Sequence, residues 1–155
     1  MSLVSSTPCD NTTVDRILVG LDHSPRAHDV LAAAALFAER SGAKLHIFSA
    51  VGLPYELPPE ALGCAPSELA PLLTARALAH LHSCADQLPK GLVCSISTAI
   101  GVPWQAICQR ASELDCSLIV IGSHGYTAID RFLGTTAAKV VNHADRSVLV
   151  VRPSC

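Results

Sequence analysis

Leu118-Ile119-Val120-Ile121-Gly122-Ser123-His124-Gly125, followed after eight residues (126–133) by Gly134-Thr135-Thr136, decides how this chain is read. Four apolar residues in a row, closed by glycine, read as a strand buried on both faces, as in a covered parallel sheet. Gly122 permits a tight turn or a close backbone approach at its end. Behind Gly134, the Ala/Val-rich segment reads as a helix. A strand, a glycine loop and a helix N-terminus in this order can cradle an anion. Backbone N–H groups point outward, glycine admits the ligand close, and the helix dipole favours negative charge. The same glycines would also serve an ordinary strand-to-helix turn, and the glycine pattern alone leaves the two readings level.

Working outward, 155 residues make one ordinary domain, and a 50% hydrophobic content gives it a substantial core. A formal net charge of −2 argues against a general polyanion-binding field. Aromatic residues at 4% argue against a stacking platform for single-stranded nucleic acid. No apolar run reaches the roughly 18 residues of a membrane span. Met1–Val14 is polar and lacks an apolar signal core, so residues 1–14 are expected to be a disordered lead-in and residues 15–155 the domain. The 7 cysteines are odd in number and form no CxxC pair, which favours reduced thiols in a cytosolic protein. The 7 histidines show neither HExxH nor any other ligand spacing, so no metal site is expected.

Taken in order, Arg16–Leu21 reads as the first strand, with Ser24 as N-cap and Pro25 as the first residue of a helix reaching about Arg40. Its apolar stripe is Ala27, Val30, Leu31, Ala34, Phe37 and Ala38, and Gly42 stops it. Lys44–Val51 is the second strand. A proline-rich surface loop over 52–66 leads into a helix from Ser67 or Pro71 to Leu88, striped by Leu73, Ala77, Leu81, Cys84 and Leu88. Leu92–Ile100 alternates only partly and suits a strand near an edge. Pro103 opens a third helix with Trp104, Ile107, Cys108 and Ala111 on one side. Ser117–Ile121, Thr135–His143 and Ser147–Arg152 supply the fourth strand, last helix and last strand. Alternating strands and helices give an α/β fold. The expectation is a single-domain, Rossmann-like open sheet of five parallel strands in the order 3-2-1-4-5, with helices on both faces. Strands 1 and 4 both end in ligand-like sequence, Asp22 and Gly122, as neighbours at a strand-order reversal would.

These residues resemble the universal stress protein family. The resemblance covers about residues 15–153. It rests on Ile17-Leu18-Val19-Gly20-Leu21-Asp22-His23-Ser24, on Gly101-Val102-Pro103, on Asp115 through Gly125, and on Ser147-Val148-Leu149-Val150-Val151-Arg152-Pro153. The family's ATP-binding branch carries Gly-x2-Gly-x9-Gly-(Ser/Thr). Gly122, Gly125, Gly134 and Thr135 match it in kind, with eight residues in place of nine in the second gap. The resemblance implies a cytoplasmic adenine-nucleotide-binding regulatory protein of the stress response, a homodimer through its last strand. ATP, with or without Mg2+, would be its ligand. It further implies Asp22 at the nucleoside, Ala50 offering backbone groups to adenine, Ile121 and Gly122 along the nucleoside, and Gly125, Gly134, Thr135 and Thr136 at the phosphates. Asp22 could instead only shape the helix entry, and Thr135 could be a simple N-cap.

Two other function classes stand beside this one. The first is a dimeric interaction protein without nucleotide. The second is an enzyme of similar fold. The enzyme reading lacks catalytic groups: only His23 follows strand 1 where a nucleotidyl transferase carries paired histidines, and no Gly-x4-Gly-Lys-(Ser/Thr) is present. His124 sits in the glycine loop. Arg131 and Lys139 flank it. No catalytic residue is assigned, and at most slow ATP hydrolysis is expected. Neither nucleic acid nor a membrane is expected as partner.

Overall fold

The computed structural model describes residues 13–52, 63, 65–123 and 133–152. The lead-in over 1–12, Cys9, Cys64, most of the proline-rich loop, His124, Gly125, Arg131 and residues 153–155 lie outside the described residues.

Nine elements alternate: β1 (Arg16–Gly20), α1 (Ala27–Ser41), β2 (Lys44–Val51), α2 (Pro66–Ala85), β3 (Val93–Ile100), α3 (Pro103–Glu113), β4 (Leu118–Gly122), α4 (Thr135–His143) and β5 (Ser147–Val151). One five-stranded sheet results, in the order β3-β2-β1-β4-β5, with every neighbouring pair parallel. Period-2 alternation splits the core. Ile17, Val19, Leu45, Ile47, Leu118 and Val120 face α1 and α2. Leu18, Phe48, Ile119 and Ile121 face α3 and α4. The central strands therefore bury both faces, which is why Leu118–Ile121 contains no polar residue. Val14 packs against the first of these cores.

Helix ends follow local chemistry. Gly42 closes α1 in the left-handed conformation (φ 73°), returning its N–H to Ala38 O. Ser24 is not the N-cap of α1. Its hydroxyl and its N–H both donate to Asp22 Oδ1, at 2.6 and 3.0 Å, closing a local turn. The helix opens two residues later, with Arg26 as N-cap. Phe37 is 42% exposed, and Ala35 takes the buried place instead. At about 100° per residue, Phe37 stands roughly 90° from the centre of the buried arc, too far round for a ring. α2 starts at Pro66 and ends at Ala85, three residues short of Leu88, which still packs against the core. Glu68 Oε2 accepts the Ala65 N–H at 3.3 Å, half of a capping box. β3 lies at the sheet edge, and its register against β2 shifts between Leu45 and His46, where Cys94 is the extra residue of a bulge.

Arg146 clamps the end of the sheet opposite the glycine loop. Its Nη1 donates to the carbonyls of Ala111 (2.8 Å) and Cys116 (2.7 Å), and Nε and Nη2 grip Asp145 at 2.7 and 2.9 Å. This ties the exit of α3 and the entry of β4 to the start of β5. The hydrogen bond from Arg146 holds the Asp145 carboxyl below its ordinary range. Cys84, Cys94, Cys108 and Cys116 are free thiols. Burial lifts Cys116 to about 11, so it behaves as a small core residue.

His46 is a polar residue inside this core, 6% exposed, its Nδ1 2.6 Å from Ser95 Oγ and its Nε2 without a partner. Burial first, then the Arg16 charge, lowers its pKa from 6.5. The unfolded chain therefore binds this proton more tightly than the folded one. The stability is complete above about pH 6.5 and falls as the pH drops below it. Thermal melts from pH 7.5 to 5.5 are expected to show that decline, and His46→Leu is expected to flatten it. An identical decline in the variant would refute the assignment.

Candidate functional site

The order of strands reverses between β1 and β4. From β1 the chain crosses to β2 on one side; from β4 it crosses to β5 on the other. α1 and α4 thus leave on opposite faces, and their N-termini part over the carboxyl edge of the sheet, where such folds place ligands. A cavity of about 270 Å³ opens there.

Its lining comes from every neighbouring element. The end of β1 gives Gly20, Leu21 and Asp22; the end of β4 gives Ile121, Gly122 and Ser123; the end of β2 gives Ala50. Ser24, Arg26, Ala27 and Val30 contribute from the entry and first turn of α1, Pro103 and Ile107 from α3, and Gly134 to Ala137 from α4. Gly20 sits in close quarters: a Cβ there would lie 3.2 Å from Ile121 Cγ2 and 3.3 Å from Ile107 Cδ1, so both side chains would have to give by a few tenths of an ångström.

The glycine loop is closed by backbone. Ser123 N–H donates to Val151 O at 2.9 Å, and Gly134 N–H donates to Ser123 O at 2.7 Å. The end of β4 and the start of α4 are therefore fastened together. Gly122 does not turn; it pairs with Val151 as the last residue of β4. Gly134, in extended conformation (φ −61°, ψ 157°), is the N-cap, so Thr135 is the first helical residue. Among the described residues no side chain caps α4, and its first turn holds no acidic residue. Its leading N–H groups and positive dipole end face the cavity.

Asp22 is exposed at the cavity, with Oδ1 engaged by Ser24 and no other bond among the described residues. It therefore shapes the helix entry and keeps a second oxygen for a hydroxyl or amine. Of the residues expected from sequence, Asp22, Ala50, Ile121, Gly122, Gly134, Thr135 and Thr136 all line this cavity. Gly125 lies outside the described residues. His23 turns away and stacks on His80 of α2, ring centroids 4.7 Å apart. Burial, then the charges of His80 and Arg76, lower its pKa. Lys139 stands 6.0 Å from the Trp104 ring centroid and does not line the cavity. Sequence reasoning missed Arg26, whose Nη1 is buried without a hydrogen-bond partner. The available signal was position: a cation in the first turn after strand 1 of such a fold stands at the carboxyl edge of the sheet. Among the described residues no cluster of His, Cys, Asp or Glu could hold a metal ion, and no helix is long and apolar enough to cross a membrane.

The fold and the sequence have known relatives. The universal stress protein Sll1388 of Synechocystis sp. is 26% identical over 149 residues, covering 88% of this chain and 97% of that protein. The structure of the universal stress protein UspA from Lactobacillus plantarum superposes with a TM-score of 0.70 at 27% identity, covering 90% of this chain and 98% of that one. A universal stress protein crystallised in complex with cAMP superposes with a TM-score of 0.66 at 25% identity, covering 92% and 100%. Residues 13–152 match the model of the Universal stress protein family, and with nearly the whole domain inside that match the chain belongs to this family.

Proposed function

We propose that this chain is an adenine-nucleotide-binding regulatory protein that takes ATP, with or without Mg2+, in the cytoplasm and acts in the stress response as a homodimer. The observation that carries the reading is the uncapped N-terminus of α4 opening into the same cavity as Asp22 and Ala50. One end of that cavity suits an anion and the other a nucleoside. In this reading Asp22 bonds the nucleoside, and the backbone at Ala50 meets adenine. Ile121 and Gly122 lie along the nucleoside. Gly125, Gly134, Thr135 and Thr136 hold the phosphates. The relative crystallised with cAMP supports an adenine ligand.

ATP at a hundred times its dissociation constant is expected to stabilise the fold by about 2.7 kcal/mol, raising the melting temperature by roughly 5–10 °C. Gly134→Val keeps an allowed backbone geometry, since φ is −61° there. It is expected to abolish the shift and preserve the fold. An unchanged melt at millimolar ATP, in protein purified without nucleotide, would instead favour a nucleotide-free interaction protein.

β5 is an edge strand whose outer side has no partner strand in the sheet. Such an edge invites a second chain. Light scattering at micromolar concentration is expected to return twice the chain mass, and a monomer there would remove the dimer from the proposal.

The geometry suits binding better than turnover. Phosphoryl transfer needs a positioned nucleophile and charge stabilisation at the transferred group. Among the described lining residues only Asp22 can act as a base, and the reading assigns it to the nucleoside end. Phosphate-release assays are expected to give a rate far below the roughly 10 per second typical of enzymes. A rate near that value would turn the reading toward an enzyme.

A further inference from the structure

Among the described residues lining the cavity, Arg26 is the one basic side chain and Asp22 the one acidic side chain. The two do not neutralise each other. Asp22 gives Oδ1 to Ser24, and among the described residues Arg26 takes part in no ion pair. Arg26 Nη1 is buried with no hydrogen-bond partner. A guanidinium stays protonated and carries five donors in a fixed fork. Leaving such a donor unmatched is costly, and the cost persists where a ligand completes the site.

What could complete it follows from the surroundings. Arg26 is the N-cap of α1, so it stands where that helix presents its positive end. α4 presents a second positive end to the same cavity, with no acidic residue in its first turn. Two helix termini and a guanidinium demand more than a neutral acceptor. A phosphate, with several anionic oxygens and a geometry that matches the guanidinium fork, satisfies all three.

We propose that Arg26 reads the anionic group of the bound ligand and makes the cavity a site for phosphorylated nucleotides in preference to nucleosides. This rests on the adenine-nucleotide reading above and narrows it. The charge that selects the ligand comes from the first turn of α1, on the far side of the strand reversal from the glycine loop. The backbone of Arg26 caps α1, and its side chain is then a ligand-binding group rather than a support of the empty fold.

The test is calorimetric titration of ATP, tripolyphosphate and adenosine into the wild type, Arg26→Gln and Arg26→Lys, with thermal melts of each protein free of nucleotide. Arg26→Gln is expected to weaken ATP and tripolyphosphate by about ten-fold or more, and Arg26→Lys to recover part of that, because a point charge replaces the fork. Adenosine is expected to behave alike in all three proteins. The ligand-free Arg26→Gln protein is expected to melt no lower than the wild type, since it loses an unmatched donor. ATP binding unchanged in Arg26→Gln would overturn the proposal. So would an equal loss for adenosine, or a ligand-free melt lowered by several degrees, which would mark a structural role. A wild type that binds tripolyphosphate but neither ATP nor adenosine would bring down the adenine reading alone and leave Arg26 as an anion site. A wild type that binds none of the three would bring down both.

Discussion

The parallel pairing of β1 with β4, Ile17 against Leu118 through Gly20 against Ile121, is the constraint on which the rest depends. It makes these two strands central, so each must be apolar on both faces. It also sets the reversal. Right-handed crossovers then send α1 and α4 to opposite sides, and the cavity is the space they leave. The register is tight. Gly20 lies so close to Ile121 and Ile107 that even a methyl group would press on both. A slip by one residue would exchange the two cores, placing Leu18 under α1 and Ile17 under α3. The ends of β1 and β4 would then no longer present Asp22 and Gly122 to one cavity.

Much of this was legible because it is local or periodic. Gly42 follows the last turn of α1 and adopts the left-handed form only glycine takes cheaply. Pro103 suits the first helical position, and Thr135–His143 was bounded at both ends by the residues that bound α4. The strand order followed from two ligand-like strand ends and held across all five strands. The convergence of Asp22 and Gly122 was legible for the same reason, since a fixed topology brings those strand ends together, whereas Ala50 was expected only from the family resemblance.

What escaped depends on contacts that sequence spacing does not encode. Ser24 has the composition of an N-cap, but Asp22 two residues earlier captures both of its donors and the helix opens later. Phe37 belongs to the apolar stripe by type, yet the packed arc is narrow and filled by alanines, which let α1 approach the sheet closely. The bulge at Cys94 carries no signal, because nothing in Val93–Ile100 marks which residue β2 will skip. Arg26 was overlooked because cations were sought near the glycines. Proximity along the chain is the wrong measure at a strand reversal, where the first turn of α1 lines the same cavity as the first turn of α4.

The four helix starts differ in a way that follows this geometry. α2 and α3 open with proline at the first turn, which removes an N–H that would otherwise need an acceptor, and α2 adds Glu68. α1 and α4 follow the two strands that flank the reversal, and neither has proline in the first turn or a capping side chain. Arg146, its side chain 14% exposed, has four hydrogen bonds, whereas His46 Nε2 and Arg110 Nε are buried without a partner away from the cavity. At the cavity, the donor ends of α1 and α4 lack capping side chains and the Arg26 fork is incomplete. At this cavity the positive end of α4 and the Arg26 fork are held in place by the sheet. Fixed donors of this kind stabilise charge that is already present; a donor does not remove a proton from an attacking water.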